Sequence, residues 1–430
     1  MRIGVISPDN FNNYISSINY GDYFQTNEYK IFAEKNKLKT KLIGFFEGDS
    51  IKGVCLIIYK RIFFGYANGF APRGLITDYS DINNLNKILS LFNKYLDYDK
   101  YMTFKIDPPL IVFKRNRKGK IIEKFDYSKE VLNAFKRHGF THSGFNKYFE
   151  NTNPRFETLL EINTTEDLLF SKLRKQLRNK LRKSIKYGLT IYKDNKYNFD
   201  IFKHILVNTD KPISWYKNLY YAFKDNLEIY YAKLNTVEYV ENSRKLYEKE
   251  LEKNDYLTSI IQTNGYKGKN MTLILNQKMQ SDKILAAYKS YMVEATELLK
   301  NNPDGLIVGV SIIIKFKDTI YLLKEGYDKK YKNLCSNYLI KWKIIEKYSD
   351  DDKINYFNLG AISGEFDFNK NTYRGLNEMK LSYNAKAIEY MGEFSKIVAI
   401  AYFMLLMIAN FLLYFRKDKW PFAFIMLMQI

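Results

Sequence analysis

Cysteine and histidine are nearly absent from this chain. Two cysteines, Cys55 and Cys335, in 430 residues give no disulfide framework, and Cys55 lies in an apolar run. The histidines are His138, His142 and His204, so no Cys/His cluster supports zinc and a Ser-His-Asp triad has few candidates. Acidic residues are also scarce relative to basic ones: 47 Asp+Glu face 68 Lys+Arg, a formal charge of +21. That excess implies a polyanionic partner, whether nucleic acid, phosphorylated precursor or anionic lipid. An AT-biased genome would enrich Lys, Asn, Ile and Tyr with charge following passively, but the charge here is clustered. A cleavable signal peptide is missing as well, because Met1-Arg2-Ile3-Gly4 leads directly into polar Ser7, Asp9 and Asn10. The main body is expected in the cytoplasm.

What the chain does have is a distant repeat. Ile51-Lys52-Gly53-Val54-Cys55-Leu56-Ile57-Ile58 is echoed by Ile307-Val308-Gly309-Val310-Ser311-Ile312-Ile313-Ile314, 256 positions later. Each octapeptide follows an acid/Gly turn (Gly48-Asp49; Asp304-Gly305). Each leads through a short basic turn to a second apolar segment, Ile62 to Tyr66 and Ile320 to Leu323. Continuous β-branched runs bounded by turns read as buried strands. The period is far too long for a solenoid, so the repeat predicts two related α/β halves with a crevice between them.

Along the body, residues 1–150 form the first half: a helix near Gln25 to Lys35, the strand pair at 42–66, and a helix around Asp81 to Leu96. A strand from Met102 to Asp107 follows, stopped by Pro108-Pro109. Residues 151–236 and 304–395 form the second half, beginning with a strand near Glu157 to Ile162. Thr164-Thr165-Glu166-Asp167 caps a helix in which Leu173, Leu177, Leu181 and Ile185 make one apolar stripe, and Gly188 ends it. Its other face carries seven cations in the twelve residues Lys172 to Lys183 with no acid, and Arg174, Lys175, Arg178 and Arg182 are the candidate contacts to RNA phosphates.

Residues 237–303 read as an inserted antiparallel helical hairpin. Val237, Val240, Tyr247 and Leu251 fit a heptad register interrupted by Arg244, and Leu285, Tyr288, Met292, Ala295 and Leu299 step by 3 and 4. Residues 396–430 are an apolar tail. Ile397 to Phe415 contains 19 residues with Asn410 the only strongly polar one, and Arg416-Lys417-Asp418-Lys419 and a second apolar run follow. A helix lying in the interface, or a shallow hairpin, keeps those charges on the cytosolic face. The tail is therefore expected to contact the inner face of the membrane; a terminal helix packed on the body is the other reading.

Four patches combine turn glycines or prolines with charged side chains. Ala71-Pro72-Arg73-Gly74 follows a strand and can present a guanidinium to a phosphate. Phe104-Lys105-Ile106-Asp107-Pro108 puts a carboxylate at a strand end, where open α/β sheets place ligand-binding groups. Tyr356 to Gly364 is a strand running into a turn, where Gly360 lets backbone approach a ligand. Arg374-Gly375-Leu376-Asn377-Glu378-Met379-Lys380 sets a cation shortly after a glycine.

In this order, and with Phe24-Gln25-Thr26, Asn179 to Gly188, Ser336 to Trp342 and Glu389 to Phe394, these patches resemble the FemABX peptidyltransferases over about residues 14–395. That family attaches amino acids from aminoacyl-tRNA to the stem peptide of peptidoglycan precursors. The resemblance implies an α/β fold of two GNAT-like lobes with a helical arm in the second. By position, Asp107 matches a carboxylate acting near the transferred group, and Lys380 a lysine that stabilises the transition state. Lys217 and Tyr221 fall where the family places an arginine and a tyrosine at the precursor phosphates. Tyr321 matches a tyrosine lining the peptide channel. Departures are Met379 before the catalytic lysine, Leu323 for a second channel tyrosine, Lys324-Glu325-Gly326 for a Gly-Gly-Ser turn, and Ala33 where the family has a phosphate-binding lysine.

The resemblance implies an aminoacyltransferase with aminoacyl-tRNA as co-substrate and no metal or other cofactor. Its acceptor is a lipid-linked or UDP-linked muropeptide, and the tail favours the lipid-linked form. The glycine loop that binds CoA pyrophosphate in ordinary acetyltransferases is not apparent. Two other classes fit the same sequence: a different N-acyltransferase of the cell envelope, and a catalytically silent RNA- or membrane-binding protein.

Overall fold

The computed structural model describes residues 1–194, 201–202, 205, 211–264, 269–399 and 404. Its frame is a pair of mixed sheets. In the first, the strand order is Arg2–Val5, Lys39–Glu47, Ser50–Arg61, Ala67–Ala71, Tyr101–Ile106, Phe394–Ile397 and Thr141–His142, with Ile76–Thr77 paired beside Ser50–Arg61. The second runs Leu189–Lys193, Leu227–Leu234, Leu306–Phe316, Thr319–Tyr327, Tyr356–Ala361, Phe156–Glu161, Lys386–Tyr390, Ile111–Arg115 and Ile121–Lys124.

Both repeated octapeptides hold the third place in their sheets. Each is followed by an antiparallel neighbour, and that neighbour makes a parallel pair with the next strand: Ala67–Ala71 with Tyr101–Ile106, and Thr319–Tyr327 with Tyr356–Ala361. A parallel pair needs a crossover, which the helices Ile82–Tyr98 and Ser336–Ser349 supply. The two related α/β lobes read from the repeat are thus present, strand for strand. Local chemistry places their helices: Asp81 and Thr26 cap Ile82–Tyr98 and Asn27–Lys35 by accepting the N–H of Asn84 and Tyr29.

Three apolar clusters hold the frame. One fills the first lobe around Phe45, Phe92 and Phe104, and another the second around Leu177, Trp342 and Phe357. The third joins the lobes: Phe32 and Tyr23 from the first pack with Tyr216, Leu219 and Phe223 of the helix Ile213–Phe223 and with Ile312 of the repeat. Covalent crossings reinforce this. The strands Ile111–Arg115 and Ile121–Lys124 lie in the second sheet, and Phe394–Ile397 returns to the first. The two crossings touch where Met391 N–H donates to Leu110 O at 2.8 Å, three residues beyond Asp107.

Several local expectations are corrected. Ile62 to Tyr66 is not a strand: Ser50–Arg61 ends, and Phe63–Gly65 turns with Phe64 at φ 54° before Ala67–Ala71 begins. The basic helix is two, Glu166–Lys172 and Lys175–Lys186, because Leu173 and Arg174 are extended. Leu173, Leu177 and Leu181 are buried as read, but Ile185 is exposed and Ser184 takes the inward place, donating to Leu334 O at 2.7 Å.

The arm is an antiparallel pair, Thr236–Asn264 and Lys269–Asn301. In its second helix Ala295 is buried as read, while Leu285, Tyr288, Met292 and Leu299 are half-buried and Leu298 takes the inward place beside Leu299. Its first does not: Tyr239, Ser243, Asn254 and Leu257 face inward while Val237 is exposed. The seam there is polar, with Asn254 donating to Ser281 Oγ and Asp282, and Ser281 to Glu250, so an apolar heptad search finds the wrong register.

The tail falls almost entirely outside the described residues. Its first residues belong to the first lobe: Ile397 closes a strand, and Val398 N–H donates to Met102 O at 2.8 Å. Among the described residues no helix is long and apolar enough to cross a membrane.

Ile57 and Ile313 occupy equivalent third-strand positions and are both fully buried. Replacing either by Ala should cost about 2–5 kcal/mol in urea unfolding. A loss confined to one of the two sites would contradict the equivalence of the lobes.

Candidate active site

Ala67–Ala71 and Tyr101–Ile106 are parallel neighbours with Ala71 opposite Ile106. The residues that follow them therefore emerge side by side, and those residues include Arg73 and Asp107. Arg73 bends back at φ 46° and its N–H donates to Asp107 Oδ1 at 2.6 Å. Asn153 donates to Oδ2 at 2.8 Å, and Arg73 Nη1 lies 3.6 Å from the same oxygen.

Arg73 points inward, not toward an external phosphate as its strand-end position suggested. Its side chain is 2% exposed. Nη2 donates to Glu157 Oε1 and Pro154 O, both at 2.8 Å, and the guanidinium carbon lies 3.9 Å from the centre of the Tyr390 ring. Glu157 belongs to the second lobe and continues the chain of contacts. Its Oε2 accepts from Asn358 at 2.6 Å, and Asn358 Oδ1 accepts the Gly360 N–H at 2.8 Å. Gly360 sits at φ 83°, and a Cβ there would come 3.1 Å from Lys380 Nζ. Glycine is required here to let the lysine lie against the backbone, where Lys380 Nζ donates to Ala361 O at 2.9 Å.

This relay links Asp107 to Lys380 across the lobe junction. Burial pushes the Asp107 carboxyl up to about 7, against the pull of Arg73 and the Asn153 hydrogen bond. Asp22 is likewise pushed up to about 7 by burial, opposed by Arg73 and aided by Glu157 and Asp107. Lys380 is lowered to about 8, chiefly by burial, with Glu325 and Glu157 resisting and Lys341 assisting. Tyr321 lines the same junction, its ring centre 5.1 Å from that of Tyr23, and burial raises its phenol well above the ordinary range.

One residue before Lys380, Met379 lines a cavity of about 810 Å³ whose wall also includes Glu325 and the lysines Lys180, Lys183, Lys329 and Lys332. Lys180 is aimed by Tyr338, donating to its hydroxyl at 3.0 Å. Fully buried Lys341 is ion-paired with Glu325 at the cavity edge. The basic helix lines this cavity through Lys180 and Lys183, not through the four cations singled out from the sequence. Arg174 lines a separate cavity of about 440 Å³ with Arg117, Lys118, Lys172 and Lys386. Arg178 bonds Ser171 O at 3.4 Å, Arg182 packs 5.6 Å from the Phe170 ring, and Lys175 is exposed.

Lys217 and Tyr221 stand on the exposed side of Ile213–Phe223, away from the relay, where that helix crosses Asn27–Lys35. Lys35 Nζ lies 5.6 Å from the Tyr221 ring centre. Ala33, where the resemblance has a lysine, is buried, and Lys35, two residues on and not singled out from the sequence, is exposed. Glu157, Asn358 and Asp22 were also missed. For Glu157 a signal existed, since a carboxylate inside the apolar strand Phe156–Glu161 demands a buried partner.

Glu157→Ala should leave the buried Arg73 guanidinium without its nearest countercharge and cost about 3–5 kcal/mol in denaturant unfolding. A cost below about 1 kcal/mol would mean the relay does not tie the lobes together.

The model of the FemAB family matches residues 6–410. The Lipid II:glycine glycyltransferase of Staphylococcus epidermidis is 22% identical over 397 residues, covering 90% of each chain. The aminoacyltransferase FemA of the same species is 22% identical over 412 residues, covering 92% of this chain and 96% of that one. Among solved structures, FemX superposes with a TM-score of 0.70 at 18% identity, over 94% of this chain and 99% of the other. With a match running through both lobes, the arm and the relay between them, this chain belongs to the FemAB family.

Proposed function

We propose that the protein is an aminoacyltransferase that moves an amino acid from aminoacyl-tRNA to the stem-peptide amine of a lipid-linked peptidoglycan precursor. One observation carries the reading: a carboxyl tuned to about 7 and a lysine tuned to about 8 share a buried junction beside a lysine-walled cavity. The names of relatives that act on Lipid II or as Fem aminoacyltransferases support the substrate class.

In this reading the cavity receives the acceptor end of the tRNA. Lys180, Lys183, Lys329 and Lys332 meet its phosphates, and Tyr338 offers an aromatic face for a base. The ester carbonyl then lies against Lys380. An aminoacyl ester is already activated, so alignment and oxyanion stabilisation are the main demands. Ionised Asp107 takes a proton from the incoming ammonium once the Asn153 side chain yields its place at Oδ2. The freed amine attacks the carbonyl carbon, a C–N bond forms, and the Lys380 ammonium holds the oxyanion, a contribution of about 3 kcal/mol. Collapse breaks the ester C–O bond, and the ribose oxygen leaves with the proton shed by the attacking nitrogen. Lys35, Lys217 and Tyr221 bind the precursor phosphates at the crossing of their two helices. Residues from 397 onward bring the enzyme to the cytoplasmic membrane surface.

Two expected outcomes follow from the groups named. Asp107 must be ionised and Lys380 protonated, so activity rises with pH through about 7 and falls through about 8. Lys380→Arg should remove the alkaline limb, since arginine stays charged, and Asp107→Asn should remove the acid limb with a loss of about 100-fold. An acid limb that persists in Asp107→Asn and vanishes in Asp22→Asn would instead assign the proton acceptor to Asp22. In a purified transfer assay, the precursor should gain one amino-acid residue by mass, RNase should abolish the gain, and Lys180→Glu with Lys183→Glu should raise KM for aminoacyl-tRNA about tenfold. Transfer that survives RNase would overturn the tRNA-dependent reading in favour of another envelope acyl donor.

A further inference from the structure

We infer that the end of the first sheet opposite Asp107 is a docking face for an anionic lipid bilayer, set so that Lys35, Lys217 and Tyr221 lie beside the lipid headgroups. The inference rests on the lipid-linked reading of the substrate above and adds the surface that meets the membrane.

Strand register defines that end. Lys39 pairs with Tyr59, Arg61 with Ala67, Ala67 with Tyr101, and Thr103 with Ile397. Five strand ends therefore line up along one edge of the lobe. Two turns project from it, and each carries an exposed aromatic: Phe64 at 83% and Tyr98 at 88%. They are the most exposed aromatic side chains among the described residues. Arg61 clamps the two turns side by side, Nη1 donating to Gly65 O at 2.7 Å and to Asp99 O at 3.2 Å. Leu38 adds a third exposed apolar side chain next to Lys39.

A single exposed apolar residue needs no explanation, but this group has a cationic setting. Lys37, Lys39, Lys60 and Lys100 are exposed around it. Of the local acids, Asp99 is neutralised by Lys41 at 2.7 Å and Arg61 at 3.6 Å, leaving Asp97 exposed. Aromatics ringed by lysines suit the boundary between acyl chains and anionic headgroups. The last strand of the first sheet also ends here. Ile397 ends its strand at this edge, Ala399 lies at Met102, and the sequence from Ile400 to Phe415 is apolar apart from Asn410.

The face also fits the proposed substrate in length. Gln25 bonds Pro72 O at 2.7 Å beside Arg73, and the helix Asn27–Lys35 then leads away to Lys37 and Lys39. Nine helical residues cover about 14 Å, and the strand Tyr101–Ile106 separates the docking face from Asp107 by about 20 Å. An extended peptide covers about 3.4 Å per residue, so a precursor whose phosphates sit at Lys35 reaches the relay through a stem of about six residues or fewer.

The test uses the full chain with Cys335→Ser, carrying one environment-sensitive fluorophore on Phe64→Cys, Tyr98→Cys or, at the opposite end of the sheet, Asp49→Cys. With vesicles of phosphatidylglycerol and phosphatidylethanolamine, probes at 64 and 98 should shift to the blue and be quenched by brominated acyl chains, while the probe at 49 stays aqueous. Failure to bind the vesicles, binding through the tail with 64 and 98 left in water, or equal shifts at all three sites would overturn the docking face. Phe64→Ser with Tyr98→Ser should keep its rate on a short-chain, water-soluble precursor and lose about tenfold on full-length lipid precursor in vesicles. Equal rates of variant and unaltered chain in vesicles would also overturn it. If the unaltered chain transfers to neither precursor, the lipid-linked reading fails, and the probe positions still judge the face on their own.

Discussion

Arg73 is a guanidinium with almost no exposure to water, held among Asp107, Glu157 and the ring of Tyr390. Burying such an ion is costly unless its hydrogen bonds and countercharges are already in place. Here they come from both lobes, so the two sheets can sit only where Asp107 of one and Glu157 of the other converge. The same constraint sets the chemistry. Asp107 is fixed by the backbone and side chain of Arg73, while Glu157 passes the geometry through Asn358 and Gly360 to Lys380.

A single countercharge shared among several carboxyls also explains their tuning. Arg73 cannot fully offset burial for Asp107 and Asp22 together, so both stay near neutrality in their titration. Lys380 is shifted the opposite way by the same burial. An ionised carboxyl and a protonated lysine then coexist over a narrow pH range, the combination that the proposed attack of an amine on an activated ester needs. The duplicated fold supplies this economically: parallel strand pairs in both lobes direct their following residues toward one junction.

Legibility from sequence followed locality. The octapeptides, the Pro108 stop after Asp107, the helices that start near Gln25 and Asp81 and the turn at Gly360 are governed by neighbours a few residues away, and they were readable. Glu157 meets Arg73 across 84 positions, and no short motif encodes that pairing. The charge of the basic helix was plain, but Tyr338 and Leu334, 158 and 150 residues on, decide that Lys180 faces the cavity and Ser184 the core. In the arm, Asn254 and Ser281 hide the seam because their hydrogen bonds replace apolar contact. Phe63-Phe64 read as strand by hydrophobicity, yet Phe64 adopts a turn conformation and faces solvent.

The proposed role of this junction is the building of a peptidoglycan cross-bridge from aminoacyl-tRNA. It is tested most directly by mass spectrometry of muropeptides from the source cell with its own gene, without it, and with the gene restored carrying Lys380→Ala. The account predicts that one fixed amino-acid mass disappears from the bridge when the gene is removed and does not return with the Lys380 variant. A bridge of unchanged mass in the deleted strain, with no related gene supplying the residue, would contradict it.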